Sequence, residues 1–186
     1  MRRHTRATAI TVLILIALTS GCATFGLVES PASLLEQGKA LYEARRYDEA
    51  LGKFLEVIRR EPTMWVAYLY AARAYIAKAD WLAAIQHGRR ALELAPTGQD
   101  VVPVFAEALM GGARDSLARQ QYGETVSRLV EYVRLKPGDV SGWLDLGKAY
   151  WQSGQRTEAF AAFRRVLELQ PRQEEALRYL LGAPGR

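Results

Sequence analysis

Apolar residues along this chain recur with helical spacing, and the whole pattern then repeats. The phrase Phe54-Leu55-Glu56-Val57-Ile58-Arg59-Arg60-Glu61-Pro62 is followed by Arg89-Arg90-Ala91-Leu92-Glu93-Leu94-Ala95-Pro96. A third version runs from Leu129 to Pro137, and a fourth is Arg164-Arg165-Val166-Leu167-Glu168-Leu169-Gln170-Pro171. Apolar residues three and four apart place one stripe on one helix face. The closing proline stops each helix, because its ring cannot extend the hydrogen-bond ladder. Pro62 and Pro96 are 34 residues apart, as are Pro137 and Pro171, whereas the middle gap is 41. The spacing predicts four units, 31–64, 65–98, 99–139 and 140–173, with seven extra residues, Gln99 to Phe105, opening the third.

Small and large residues alternate at fixed places within the units. When the proline is numbered 32, position 8 holds Gly38, Ala72, Ala113 and Gly147, and position 20 holds Ala50, Ala84, Thr125 and Ala159. Position 4 holds Leu34, Tyr68, Leu109 and Trp143, and position 17 holds Tyr47, Trp81 and Tyr122 in the first three. Small side chains let two helix backbones close up, and bulky ones lock each pair onto the next. A single pair cannot bury its apolar face alone, so neighbours stack into one continuous core. This pattern over 31–173 resembles the tetratricopeptide repeat, a helix–turn–helix unit of about 34 residues. Unit 140–173 is nearest to it, with Trp143, Leu146, Gly147, Tyr150, Gly154, Ala159, Phe163 and Pro171 in place. The resemblance implies an all-α fold, a right-handed α-solenoid of four such repeats.

The third unit departs most, at Ser116, Thr125 and the pair Gly111-Gly112. Its seven extra residues are expected to lengthen its first helix, with Asp100 as N-cap and Pro103 in the first turn. After Pro171, the segment 174–186 is expected to form a short C-terminal capping helix and a tail. Ala176, Leu177, Leu180 and Leu181 supply the helix's apolar face.

In this family the first helices of successive repeats line a concave trough. Carried over position by position, that implies a partner-binding row of Leu35, Leu69, Met110 and Leu144 at position 5. A second row is Lys39, Arg73, Arg114 and Lys148 at position 9, and Tyr42 and Trp151 stand at position 12 beside Ile76 and Leu117. One cation per unit between apolar rows suits a protein or peptide segment with acidic groups and apolar anchors, through charge-assisted hydrogen bonds and aromatic contact area. The alternative is that the cations only solvate the trough and the apolar rows pack onto adjacent helices.

The N-terminus reads differently. Arg2, Arg3 and Arg6 precede an apolar run from Ala7 to Leu18, followed by Thr19-Ser20-Gly21-Cys22. A charged start, a short apolar stretch and a small-residue site read as an export signal, and twelve apolar residues are few for a bilayer-spanning helix. Leu18 to Cys22 resembles the lipobox of bacterial lipoproteins, although Thr19 stands where that motif has leucine. The resemblance implies cleavage after residue 21, lipid on Cys22 and a tether over 22–30. Multiple acyl chains, at about 0.8 kcal/mol per buried methylene, would hold such a protein firmly on a membrane. Ala23, where an aspartate would mark inner-membrane retention, implies the outer membrane facing the periplasm. The alternative is an uncleaved signal anchor.

Charge and chemistry narrow the function. Residues 1–21 carry three arginines and no acid, so processing lowers the formal charge from +5 to +2. That balance argues against nucleic acid as a partner. Cys22 is the only cysteine, and His87 is the only histidine beyond the signal. No metal-ligand spacing, phosphate loop or catalytic triad is present, so no enzyme activity, cofactor, metal or small-molecule substrate is expected. The architecture resembles tetratricopeptide lipoproteins that assist outer-membrane assembly, such as pilotins, tight-adherence pilus lipoproteins and barrel-assembly accessory subunits. This implies a membrane-anchored interaction scaffold for a secretion, pilus or outer-membrane complex. The other reading is an adaptor or regulator of peptidoglycan-modifying enzymes.

Overall fold

The computed structural model describes residues 29–182. The export signal, Cys22, most of the tether and the last four residues lie outside the described residues. Within them the chain is all helical: α1 Pro31–Glu43, α2 Tyr47–Arg60, α3 Trp65–Ala77, α4 Trp81–Leu94, α5 Val101–Ala118, α6 Tyr122–Leu135, α7 Val140–Gln152, α8 Arg156–Leu169 and α9 Glu174–Leu180. Each odd-numbered helix from α1 to α7 packs against the even-numbered one that follows, and each hairpin packs against the next. The result is a solenoid of four helical hairpins closed by one short helix.

The turn inside every hairpin is the same, and its backbone explains why the pairs close so tightly. Arg45, Ala79, Gln120 and Gly154 occupy equivalent positions, and all have positive φ, at 59°, 55°, 59° and 82°. Their N–H groups donate to Tyr42, Ile76, Leu117 and Trp151, three residues back. The following N–H groups, of Arg46, Asp80, Gln121 and Gln155, donate to Leu41, Tyr75, Ser116 and Tyr150 at 2.8–3.0 Å. This is the Schellman arrangement, which satisfies carbonyls left over at a helix C-terminus and reverses the chain. Only the fourth turn has the glycine that this geometry favours; the other three hold side chains in left-handed backbone.

Three of the four hairpins are then each filled by one phenylalanine ring. Phe54 and Phe163, at position 24 of the first and fourth units, are fully buried against Gly38 and Gly147, which leave no room for a β-carbon. In the second unit that position is Gly88, and Phe105 packs on it instead, 1% exposed. Phe105 is the last of the seven extra residues. The insertion lengthens α5 to 18 residues, against 13 for α1, α3 and α7, and supplies the ring that α4 lacks. Gly111 similarly gives way to Trp81. The polar departures of the third unit satisfy each other: Ser116 Oγ and Thr125 Oγ1 share a buried hydrogen bond of 2.9 Å. The Ala113 carbonyl lies 3.0 Å from the Ser116 hydroxyl and the Gln121 carbonyl 3.1 Å from that of Thr125, so whichever hydroxyl does not donate to the other donates to its carbonyl. Burial without such partners would cost about 1–3 kcal/mol each.

Position 4 has a second use where units are 34 residues apart. Tyr68 donates its hydroxyl to the Pro62 carbonyl at 3.2 Å, and Trp143 donates its indole N–H to the Pro137 carbonyl at 3.0 Å.

Two local expectations require correction. Asp100 stands at the N-terminus of α5, but its side chain makes no cap hydrogen bond; Arg73 draws the carboxylate across to α3. In α9 Leu177 is exposed, at 38%, and so is Leu181 just past the helix, at 82%. That helix is held by buried Ala176 and by Tyr179, whose ring stacks on Phe163 at 4.4 Å and meets the edge of Trp151 at 5.3 Å.

Candidate protein-binding trough

The first helices α1, α3 and α5 touch one another in turn, more extensively than any two second helices do. First helices therefore form the inner layer, and residues at one position in successive units line up across it. The cation row lies on this layer, but most of its charge is already matched. Lys39 Nζ meets Glu36 at 2.8 Å, Arg73 Nη2 meets Asp100 at 3.0 Å, and Lys148 Nζ meets Glu175 at 2.7 Å. Lys39 and Arg73 also stand over the ring of Tyr70, 5.3 and 5.2 Å from its centre, within cation–π range. Arg114 is exposed and has no ion-pair partner among the described residues.

The apolar rows are corrected more sharply. Leu35, Leu69 and Leu144 are 8%, 4% and 9% exposed and belong to the core between hairpins, so they cannot anchor a ligand. Position 5 points into the seam between helices because each first helix must bury that stripe against its neighbour. Met110 differs and remains half-buried at the surface. Trp151 is engaged by Phe160 and Tyr179, and the Arg156 guanidinium covers its face at 3.6 Å. Tyr42 packs against Tyr47 and Tyr70, and burial pushes its phenol above the ordinary value.

The structure brings Met110, Arg114 and Lys148 together. Between α5 and α7 lies a cavity of about 270 Å³. Met110, Ala113, Leu117, Leu129 and Ala149 line it with apolar surface, and Arg114, Asp145, Lys148 and Gln152 add its polar groups. Leu117 is 40% exposed, so part of this apolar surface meets solvent. Burial pushes the Asp145 carboxyl above the usual aspartate value, while Lys148 and Arg114 pull it back down. With Glu175 on Lys148, the two cations face two acids, Asp145 and Glu175. Arg114 makes no ion pair of its own among the described residues, so the recess can hold an apolar side chain next to a carboxylate that meets Arg114. Sequence reasoning passed over Tyr70 and Asp145, both at position 6. In α1 and α7 an acid three residues before the cation, Glu36 and Asp145, is the signal that was available.

Two larger clefts lie among the second helices. One, of about 620 Å³, runs between α4 and α6. Its arginines are matched internally: Arg89 pairs with Glu131, Arg119 with Asp115 and Arg128 with Glu124. The other, of about 520 Å³, lies between α6 and α8 under Trp143 and Tyr150. Size alone favours them, but neither combines apolar lining with a row cation that lacks an acid.

A family model described as tetratricopeptide repeat matches residues 35–98, and a second with the same description matches 140–183. The chain carries tetratricopeptide repeats. The stretch between these matches contains the third repeat, where the insertion, Ser116 and Thr125 depart from the common pattern. Among solved structures, MamA AMB-1 is 20% identical with a TM-score of 0.53, over 82% of this chain and 80% of that one. MamA from Desulfovibrio magneticus RS-1 is 20% identical with a TM-score of 0.52, over 82% of each chain. YrrB, described as a TPR protein with an unusual peptide-binding site, is 18% identical with a TM-score of 0.52, over 94% of this chain and 81% of that one. At such identities the similarity establishes the fold. No curated protein sequence matches the chain. Tetratricopeptide arrays are generally interaction scaffolds rather than catalysts. Among the described residues, no helix is long and apolar enough to cross a membrane.

Proposed function

We propose that this chain is a lipid-anchored scaffold of the bacterial cell envelope that captures an acidic, partly apolar segment of a partner protein in its trough. Such capture would assist assembly of a secretion, pilus or outer-membrane complex. The observation that carries the binding half is the cavity between α5 and α7, where exposed Arg114 stands beside Lys148 over Met110 and Leu117. An apolar recess provides area and exclusion of water, and the cations provide orientation. The anchoring half is supported by the basic, apolar and small-residue succession that ends at Cys22.

The two halves separate in one experiment on the full chain expressed in a bacterium. Arg114→Glu should stay in the membrane fraction but lose partner capture at least tenfold, with its thermal unfolding unchanged. Cys22→Ser should take up no labelled fatty acid, should keep residues 1–21, and should still capture the partner. Undiminished capture by Arg114→Glu contradicts the binding site, and a parent chain that takes up no more labelled fatty acid than Cys22→Ser contradicts the anchor.

A further inference from the structure

The short helix α9 stands where a fifth repeat would begin, and Glu175 is the second residue of that register. From there it reaches back to Lys148 on α7 at 2.7 Å, with both side chains about one-third exposed (32% and 33%). The preceding step of the array has no such contact: Arg114 carries the cation, and the second residue of the next repeat is Ser141. Arg114 therefore makes no ion pair at the α5–α7 cavity, where Asp145 feels its charge from a distance, whereas Lys148 is held by Glu175.

We propose that Glu175 is an internal stand-in for a partner carboxylate, so that an acidic segment entering the cavity competes with it for Lys148. This rests on the reading of the trough as the binding site. The docking of α9 does not depend on the ion pair, because Ala176 is buried and Tyr179 stacks on Phe163. Glu175 can thus release Lys148 without detaching the helix. Its exposure leaves it open to exchange, whereas a sealed pair would resist it. The matching partner segment carries two carboxylates, one for Arg114 and one for Lys148, flanking an apolar side chain that enters between Met110 and Leu117.

The test uses a fluorescent peptide of alternating glutamate and leucine, titrated against the full chain and its Glu175→Gln, Lys148→Gln, Arg114→Glu and Glu175→Gln/Lys148→Gln variants. An exposed pair of this kind sets the expected scale. Glu175→Gln should bind about two- to fivefold more tightly, the gain should vanish in the Lys148→Gln background, and added salt should shrink it. If Glu175→Gln binds no better than the parent while Arg114→Glu still weakens binding, the stand-in is overturned and the trough reading survives. If Arg114→Glu is without effect, or no variant binds the peptide, the trough reading fails and this inference fails with it.

Discussion

Three non-glycine residues hold left-handed backbone in the hairpin turns, and this is where single substitutions speak most clearly. Arg45, Ala79 and Gln120 share the geometry that Gly154 adopts without a β-carbon, and a side chain there costs about 1 kcal/mol. Ala79→Gly should therefore raise stability by about 0.5–1 kcal/mol, and Gly154→Ala should lower it by a similar amount, both read by denaturant unfolding. Similar losses from both substitutions would show that the turns do not set the hairpins. His87 titrates for a different reason. Its ring stacks on Tyr75 at 5.2 Å and lies near Tyr68, and burial holds its pKa below the ordinary histidine value, with Asp80 opposing weakly. The unfolded chain then binds the proton more readily. The stability this group contributes is fully present above about pH 6.5 and is lost as pH falls through the lowered folded value. His87→Phe should flatten the decline in unfolding free energy between pH 7 and pH 5; an unchanged slope would mean that another group carries it. The helix–turn–helix unit implied a turn inside each repeat. The left-handed backbone of those turns was not legible, because only one of the four is glycine.

At the scale of elements, the helix pairs were readable because proline and small residues act over short distances. Pro62, Pro96, Pro137 and Pro171 each fall just past the end of a second helix. The role of the insertion was hidden for the opposite reason. Position 24 reads Phe54, Gly88, Leu129 and Phe163, and the gap at Gly88 acquires meaning only when α5 brings Phe105 onto it. The Ser116–Thr125 bond was likewise invisible, since it joins two departures that look like separate weaknesses. Phe105→Ala should cost about 3–5 kcal/mol, as for other buried phenylalanines, measured by chemical unfolding. A loss under 1 kcal/mol would show that α5 does not fill the second hairpin.

At the scale of the whole molecule, the row of cations was legible and its state of charge was not. Position 9 places Lys39, Arg73, Arg114 and Lys148 on the inner layer, but the acids that match three of them come from position 6, from the insertion and from α9. Long-range placement of this kind escapes a reading by period. The apolar row failed similarly: Leu35, Leu69 and Leu144 recur at position 5 of their units, and packing between helices takes that row into the core. What survives is a smaller site than the sequence suggested, one cavity around Met110, Arg114, Leu117 and Lys148.

Photo-cross-linking in the living cell tests this most directly, with p-benzoylphenylalanine placed at Met110 in the cavity or at Leu82, an exposed residue of α4 lining the cleft between second helices. A discrete cross-linked partner is expected from position 110, abolished by Arg114→Glu, and none from position 82. The same partner cross-linked from position 82 but not from 110 would contradict the cavity as the binding site.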